Sequence, residues 1–245
     1  MSESGAAPQR KQAPTPGQML RGLVFLAVFY LATVLMGLAN LALYPLGEAA
    51  VRRQCEWWSA LHRWCVVHIL GISVTVEGGV PAGAVLVAMK HESAFEALDS
   101  LTFLDHPVVF AKAELLRLPL WGKMGRAYGL IGVEREQGAK ALRAMFAEAR
   151  EKAKLGRPML IFAEGTRVPH GAQPPLQAGF AGIYKLLGLP VVPVAINSGP
   201  CYAHKIKRQG RIVIRFGEPI APGLAREEIE ARVHAAINAL NRPPA

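Results

Sequence analysis

The chain is poor in the residues that staple small secreted folds. It has only three cysteines in 245 residues, Cys55, Cys65 and Cys201, with no C-x-x-C spacing. Two of them lie in an apolar stretch beside tryptophans, which reads as reduced, buried packing residues in a cytosol-facing protein rather than a disulfide framework. Several familiar site signatures are also missing. There is no G-x-x-x-x-G-K-[ST] or G-x-G-x-x-G loop for a nucleotide, no G-x-S-x-G serine elbow, and no H-E-x-x-H or clustered Cys/His set for a metal. No resident cofactor or metal is therefore expected. Acidic residues are scarce, 18 against 28 Lys and Arg, giving a net charge of +10. The basic residues are scattered and not interleaved with aromatics, which argues against nucleic acid and for a basic domain at an anionic lipid surface. No internal repeat is visible.

The most telling absence is local. From Gly22 to Gly47 there is no charged residue at all. This run exceeds the roughly 20 apolar residues that cross a bilayer core and is too long for a secretory h-region, so it is expected to stay in the membrane. Basic residues flank it on both sides, Arg10, Lys11 and Arg21 before and Arg52 and Arg53 after, which leaves spanning and re-entrant arrangements open. Residues 1–18, rich in Pro, Ser, Gln and Gly, read as a disordered tail. After the break at Tyr44, Pro45 and Gly47, helical spacing sets Trp57, Leu61, Trp64 and Cys65 together with Glu56, His62 and Arg63 elsewhere. That pattern suits an interfacial helix, with a core-packing helix as the alternative. Residues 19–70 are thus expected to be membrane-embedded and interfacial, and 71–245 a single α/β domain.

That domain is signalled by short apolar, β-branched runs alternating with helical stretches: ISVTVEG, AVLVAM, PVVFAKA, LIGVER, PMLIFAE, VVPVAIN and RIVIRFGEP. They predict a mixed sheet covered by helices, with functional loops at strand ends. Two amphipathic covering helices are expected. One carries Leu142, Met145, Phe146 and Ala149 and stops by Gly156; the other carries Ile229, Val233, Ile237 and Leu240.

Within AVLVAMKHESAFEALDS, His91 and Glu96 follow an apolar strand. On a continuous helix they would be separated by about 140°, so they meet only if the chain turns. Ser93 and Glu96 have capping-box spacing, which predicts that turn, with His91 in the loop and Glu96 in the first helical turn. The same spacing allows a purely structural Glu96, and His91 could be a satisfied strand-end residue. Asp99 is a second acidic candidate. Downstream, FAEGTR brings Glu164, Gly165, Thr166 and Arg167 to another strand end, where glycine permits close approach and a guanidinium grips phosphate. GLIGVER ends in Arg135, which alone could be a surface charge.

In this order the blocks resemble the glycerolipid acyltransferase family, most closely the bacterial 1-acyl-sn-glycerol-3-phosphate acyltransferases, over about residues 70–220 plus the N-terminal segment. HESAFE is similar to the family's H-x4-D, GLIGVER to its glycine-led segment ending in arginine, FAEGTR to F-P-E-G-T-R, and VVPVAI, with Pro193, to its proline-bearing strand. AKAELLRLPLWG, with Lys112, resembles the lysine-containing block between the first two. Glu96 stands where the family has aspartate and Ala163 where it has proline. The resemblance implies acyl transfer from acyl-CoA or acyl-ACP to the sn-2 hydroxyl of lysophosphatidic acid. His91 would be the base and Glu96 its orienting carboxylate. Arg167, Arg135 and Lys112 would bind phosphate, with Glu164, Gly165, Thr166 and Pro193 in support. It further implies a cytoplasmic face of the inner membrane. Charge does not choose between the donors, since an acidic carrier protein and the phosphates of CoA are both drawn to a basic surface. Another lysolipid acceptor, such as lyso-ornithine lipid, and a non-catalytic lipid-binding protein remain alternative readings.

Overall fold

The computed structural model describes residues 14–119, 121–134 and 138–241. All seven apolar runs form strands: β1 (Ile72–Glu77), β2 (Leu86–Met89), β3 (Val108–Lys112), β4 (Ile131–Val133), β5 (Met159–Phe162), β6 (Val191–Ile196) and β7 (Gly210–Phe216). They make one sheet in the order β1-β7-β6-β2-β5-β3-β4, parallel throughout except where β6 meets β7 antiparallel. The three central strands, β6, β2 and β5, are apolar at every position because both faces are covered. Side chains alternate across β2, so Val87 and Met89 enter one core and Leu86 and Ala88 the other.

The helices are α1 (Pro16–Leu43), α2 (Glu48–Trp64), α3 (Phe95–Asp99), α4 (Trp121–Tyr128), α5 (Gly138–Ala153), α6 (Ala178–Leu187), α7 (Gly199–Tyr202) and α8 (Arg226–Ile237). Ile229, Val233 and Ile237 of α8 are fully buried, as their spacing predicts, while Leu240 lies beyond the helix end. In α5, Met145 and Ala149 are buried but Leu142 is 44% exposed, because it fronts a cavity described below. The three cysteines are free and buried.

Helix α1 begins earlier than the composition suggests. Residues 1–13 lie outside the described residues, but Pro16 to Gln18, assigned to the tail by sequence, are helical. The reason is a capping box that the composition hid: Gln18 N–H donates to Thr15 Oγ1, Thr15 N–H donates back to Gln18 Oε1, and Pro16 opens the first turn. The helix is 28 residues long, about 42 Å at 1.5 Å per residue. Residues 16–40 are long and apolar enough to cross a membrane, and only 17% of that span is buried against the rest of the protein.

The buried part of α1 is specific. Phe25 and Phe29 stack at 5.6 Å and meet the His62 ring at 6.3 and 5.1 Å; Trp58 and Tyr202 complete the cluster. His62 also lies 5.7 Å from the ring of Phe95 at the start of α3. Here the structure corrects the helical wheel. His62 is completely buried, its Nε2 2.8 Å from Tyr202 Oη, whereas Trp57 and Trp64, grouped by sequence with Cys65, are 66% and 51% exposed. The inward stripe of α2 is Val51, Cys55, Ser59 and His62, with α1 and the α/β domain on its two sides.

Candidate active site

β2 lies in the middle of the sheet, flanked by the ends of β5 and β6, and its C-terminal end delivers Lys90, His91 and Glu92 into a loop before α3. The register pairs Met89 with Phe162, so the loop carrying His91 and the loop carrying Glu164 leave the sheet side by side. In an open α/β sheet this carboxyl end is where a binding crevice forms.

The turn expected between His91 and Glu96 is present, and it brings His91 Nδ1 to 3.9 Å from Glu96 Oε2. That is close but beyond hydrogen-bond length. The capping box is half formed. Glu96 accepts from the backbone N–H of Ser93 at 3.2 Å and of Glu92 at 2.8 Å, but the N-cap is Ala94, and Ser93 Oγ accepts from Phe95 N–H instead. The loop turns one residue later than the motif implies because the carboxylate gathers donors from two preceding amides.

Glu96 is fully buried, and a residue not singled out by sequence completes its shell. Ser198, after β6, donates from Oγ to Glu96 Oε1 at 2.7 Å and lies 2.8 Å from Ser93 Oγ. Burial pushes the Glu96 carboxyl up to about 7, against the pull of these donors, of which Ser198 is the strongest. Asp99, the rival acid, faces the other way. Its carboxylate is held by Arg63 of α2, with His62 Nδ1 3.6 Å away.

On the β5 side, Glu164 is 1% exposed. It accepts from Lys90 Nζ at 2.7 Å and from His91 N–H at 3.4 Å. Lys90 is itself completely buried and also donates to the Ala172 carbonyl. Glu92, the next neighbour, bonds Gly199 N–H at 2.8 Å and lies 2.8 Å from His170 Nδ1; burial raises its pKa. Gly165 adopts φ 68°, which a side chain would resist, and the chain then returns so that Val168 N–H donates to the His91 carbonyl. The histidine is therefore clamped through both of its own backbone groups, while its ring lies on Phe162 at 4.1 Å.

His91 borders a cavity of about 1010 Å³ whose wall is mostly apolar. Lys112 at the end of β3, and Gly165, Thr166 and Arg167 after β5, line the same cavity. Lys207 does not line this cavity: its ammonium donates to the Tyr202 and His204 carbonyls, and burial lowers its pKa with the charge of Arg167 acting in the same sense. Arg135 lies outside the described residues. Pro193 is buried inside β6, its carbonyl taken by Gly217 N–H at the junction with β7, and it does not line the cavity.

Residues 72–197 match the family model described as Acyltransferase. The 1-acyl-sn-glycerol-3-phosphate acyltransferase of Pseudomonas aeruginosa is 27% identical over 186 residues, 74% of this chain and 72% of the relative. The enzyme of the same name from Helicobacter pylori is 24% identical over 69% of this chain and 75% of its own length. The crystal structure of the 1-acyl-sn-glycerophosphate (LPA) acyltransferase PlsC from Thermotoga maritima superposes with a TM-score of 0.73. It covers 93% of this chain and 99% of that one at 23% identity, a likeness of fold.

Proposed function

Since the chain belongs to the acyltransferase family, we propose that it transfers a fatty acyl group from an acyl thioester, acyl-CoA or acyl-ACP, to the sn-2 hydroxyl of lysophosphatidic acid, giving phosphatidic acid. The observation that carries this reading is His91 at the edge of a large apolar cavity that also presents Lys112 and Arg167. One cavity then offers a base, a hydrocarbon lining and fixed positive charge for a phosphate.

In this reading, His91 Nδ1 faces Glu96, which leaves Nε2 to take the proton of the acceptor hydroxyl as its oxygen bonds to the thioester carbonyl carbon. The tetrahedral intermediate collapses, the C–S bond breaks, and the imidazolium returns the proton to the departing thiolate. Glu96 holds the tautomer and stabilises the imidazolium, the 3.9 Å gap shortening as that charge develops. Arg167, with Lys112, binds the acceptor phosphate. Glu164 and Lys90 hold the loop and take no proton.

Membrane seating follows from α1. Its outer face exposes Leu20, Leu23, Leu31, Leu35 and Leu38. Arg21 near its start approaches Gly71 and Gln209, and the end of α2 leads directly into β1, so both ends of the helical hairpin meet the same domain. That arrangement supports a hairpin seated in one leaflet over a span, and we propose that this leaflet is the cytoplasmic face of the inner membrane. The acceptor then reaches the site without leaving the lipid.

The test is phosphatidic acid formation from lysophosphatidic acid and a long-chain acyl-CoA or acyl-ACP in membranes. His91→Ala is expected to lower kcat by about 10²–10⁴-fold with expression and insertion intact. Unchanged turnover in that variant would overturn the mechanism, and a wild type inactive on lysophosphatidic acid but active on a phosphate-free lysolipid would overturn the acceptor.

A further inference from the structure

A second cavity, of about 510 Å³, opens at the opposite end of the strands, between the start of α2, the end of α4 and the end of α5. Pro158, just before β5, borders it, whereas Phe162 at the other end of β5 borders the catalytic cavity. Four cationic side chains line it, Arg52, Arg126, Lys152 and Arg157, with His106; two acids do, Glu48 and Asp105.

How these cations are held is informative. Arg157 donates from Nε to the His106 carbonyl and from its terminal nitrogen to the carbonyls of Tyr128 at 2.9 Å and Pro107 at 3.4 Å. Arg126 donates to the Leu116 carbonyl. A carbonyl fixes the direction of a guanidinium without cancelling its charge. His106 adopts φ 47°, the one non-glycine residue with positive φ among the described residues, while its carbonyl serves Arg157; such a conformation persists only where the surroundings enforce it. Arg157 is also half-buried, and burial, with the charge of Arg52 acting in the same sense, lowers its pKa against the opposing pull of Tyr128, Glu56 and Asp105. Among the described residues the ion pairs at the cavity are Arg52–Glu48 at 3.3 Å, Lys152–Glu148 at 3.9 Å, and those of His106 with Asp105 at 2.7 Å and with Glu56 at 3.4 Å; all are partly exposed pairs of small energetic weight, and none engages Arg126 or Arg157. The fold therefore uses backbone carbonyls, in exposed and part-buried hydrogen bonds, to fix guanidinium charge beside an open space.

We infer that this cavity binds the phosphate group of an anionic phospholipid, as a second lipid site separate from the catalytic cavity. Guanidinium pairs suit phosphate oxygens in geometry as well as charge. The lipid source follows from position. Glu48 and Arg52 come directly after the α1–α2 corner, where Tyr44 and Leu46 are 54% and 71% exposed and continue the apolar face of α1. The choice of a lipid over free phosphate rests on the membrane seating proposed above; the phosphate chemistry does not.

The experiment uses the full chain with two matched pairs of substitutions. Arg52→Gln with Lys152→Gln neutralises the cavity, and Arg53→Gln with Lys154→Gln removes the same charge from exposed neighbours that do not line it. Binding is measured to phosphatidylcholine vesicles with and without phosphatidylglycerol, and the thermal midpoint in neutral detergent is followed as inorganic phosphate is added. The wild type is expected to prefer the anionic vesicles, the cavity pair to lose about tenfold or more of that preference, and the control pair to keep it. Phosphate should raise the midpoint of wild type and control but not of the cavity pair. Equal losses in both pairs would reduce the effect to diffuse charge and overturn the site, and a phosphate response without any anionic-lipid preference would overturn the lipid as occupant. Binding to no vesicle at all would instead sink the membrane seating, and the detergent measurement would still decide the cavity. Arg126→Lys, which keeps charge but loses the fork, serves in the same assays if the cavity pair fails to fold.

Discussion

Glu96 reaches His91 from the first turn of α3 and Glu164 from the loop after β5, and both are buried, at 0% and 1% exposure. Their company differs. Glu164 lies against the ammonium of Lys90, whereas Glu96 receives only neutral donors, two backbone amides and two serine hydroxyls. The loop after β5 is therefore locked by a charge pair, while α3 keeps a carboxyl poised near 7 beside the imidazole. Burial alone does not decide what a carboxylate does; the charge of its partner does.

The sharpest way to break this contrast is Lys90→Met, which leaves Glu164 buried and unpaired. Stability should fall by about 3–5 kcal/mol in denaturant unfolding. Adding Glu164→Gln should restore a good part of it, which a simple packing defect at position 90 would not allow.

A smaller effect is expected from pH. The carboxyl of Glu96 is raised from 4.5 to about 7, so the folded state holds its proton where the unfolded state does not. Its contribution to stability is fully present below about 4.5 and is lost as pH rises through about 7, on the order of 3 kcal/mol in all. Activity should run the other way, because the ionised form is the one that stabilises an imidazolium. The expected profile of kcat/KM climbs through about pH 7 as a property of the His91–Glu96 pair, and Glu96→Gln should lower the plateau and shift the limb to one set by His91 alone.

The smallest change sharpens the comparison. Ser198→Ala removes the strongest of the neutral donors to Glu96, worth about 1 kcal/mol, and should move the rising limb upward by less than one pH unit. The same substitution should leave the Lys90–Glu164 lock untouched, with denaturant midpoints falling far less than for Lys90→Met.

Much of this was readable in the chain and some of it was not, for physical reasons. Buried parallel strands announce themselves as unbroken apolar runs, as β2, β5 and β6 did, while β1 and β7 were legible from β-branched residues alternating with polar ones. The clustering of His91, Glu96, Glu164 and Gly165 was legible because each follows such a run. Ser198 was hidden: it meets Glu96 across 102 positions, and no local spacing links a serine after one strand to a glutamate after another. Lys90 left a faint signal, a lysine immediately after an apolar strand, but its partner is 74 residues away. His62 was misplaced because the inward face of α2 is shared with another helix, which rotates the buried stripe away from the tryptophans. The start of α1 was missed because Thr15-Pro16 reads as tail by composition and as a cap only by geometry.

The aromatic cluster under α1 has a practical corollary. Phe25 and Phe29 rest on His62, and His62 rests on Phe95, the residue preceding Glu96. Helix α1 thus packs, through His62 and Phe95, against the helix that carries Glu96. Removing residues 1–47 to obtain a well-behaved soluble reagent would strip that support and leave His62 facing water two contacts from the carboxylate. Solubility for this protein is better sought by replacing the outward leucines of the helix than by discarding the helix.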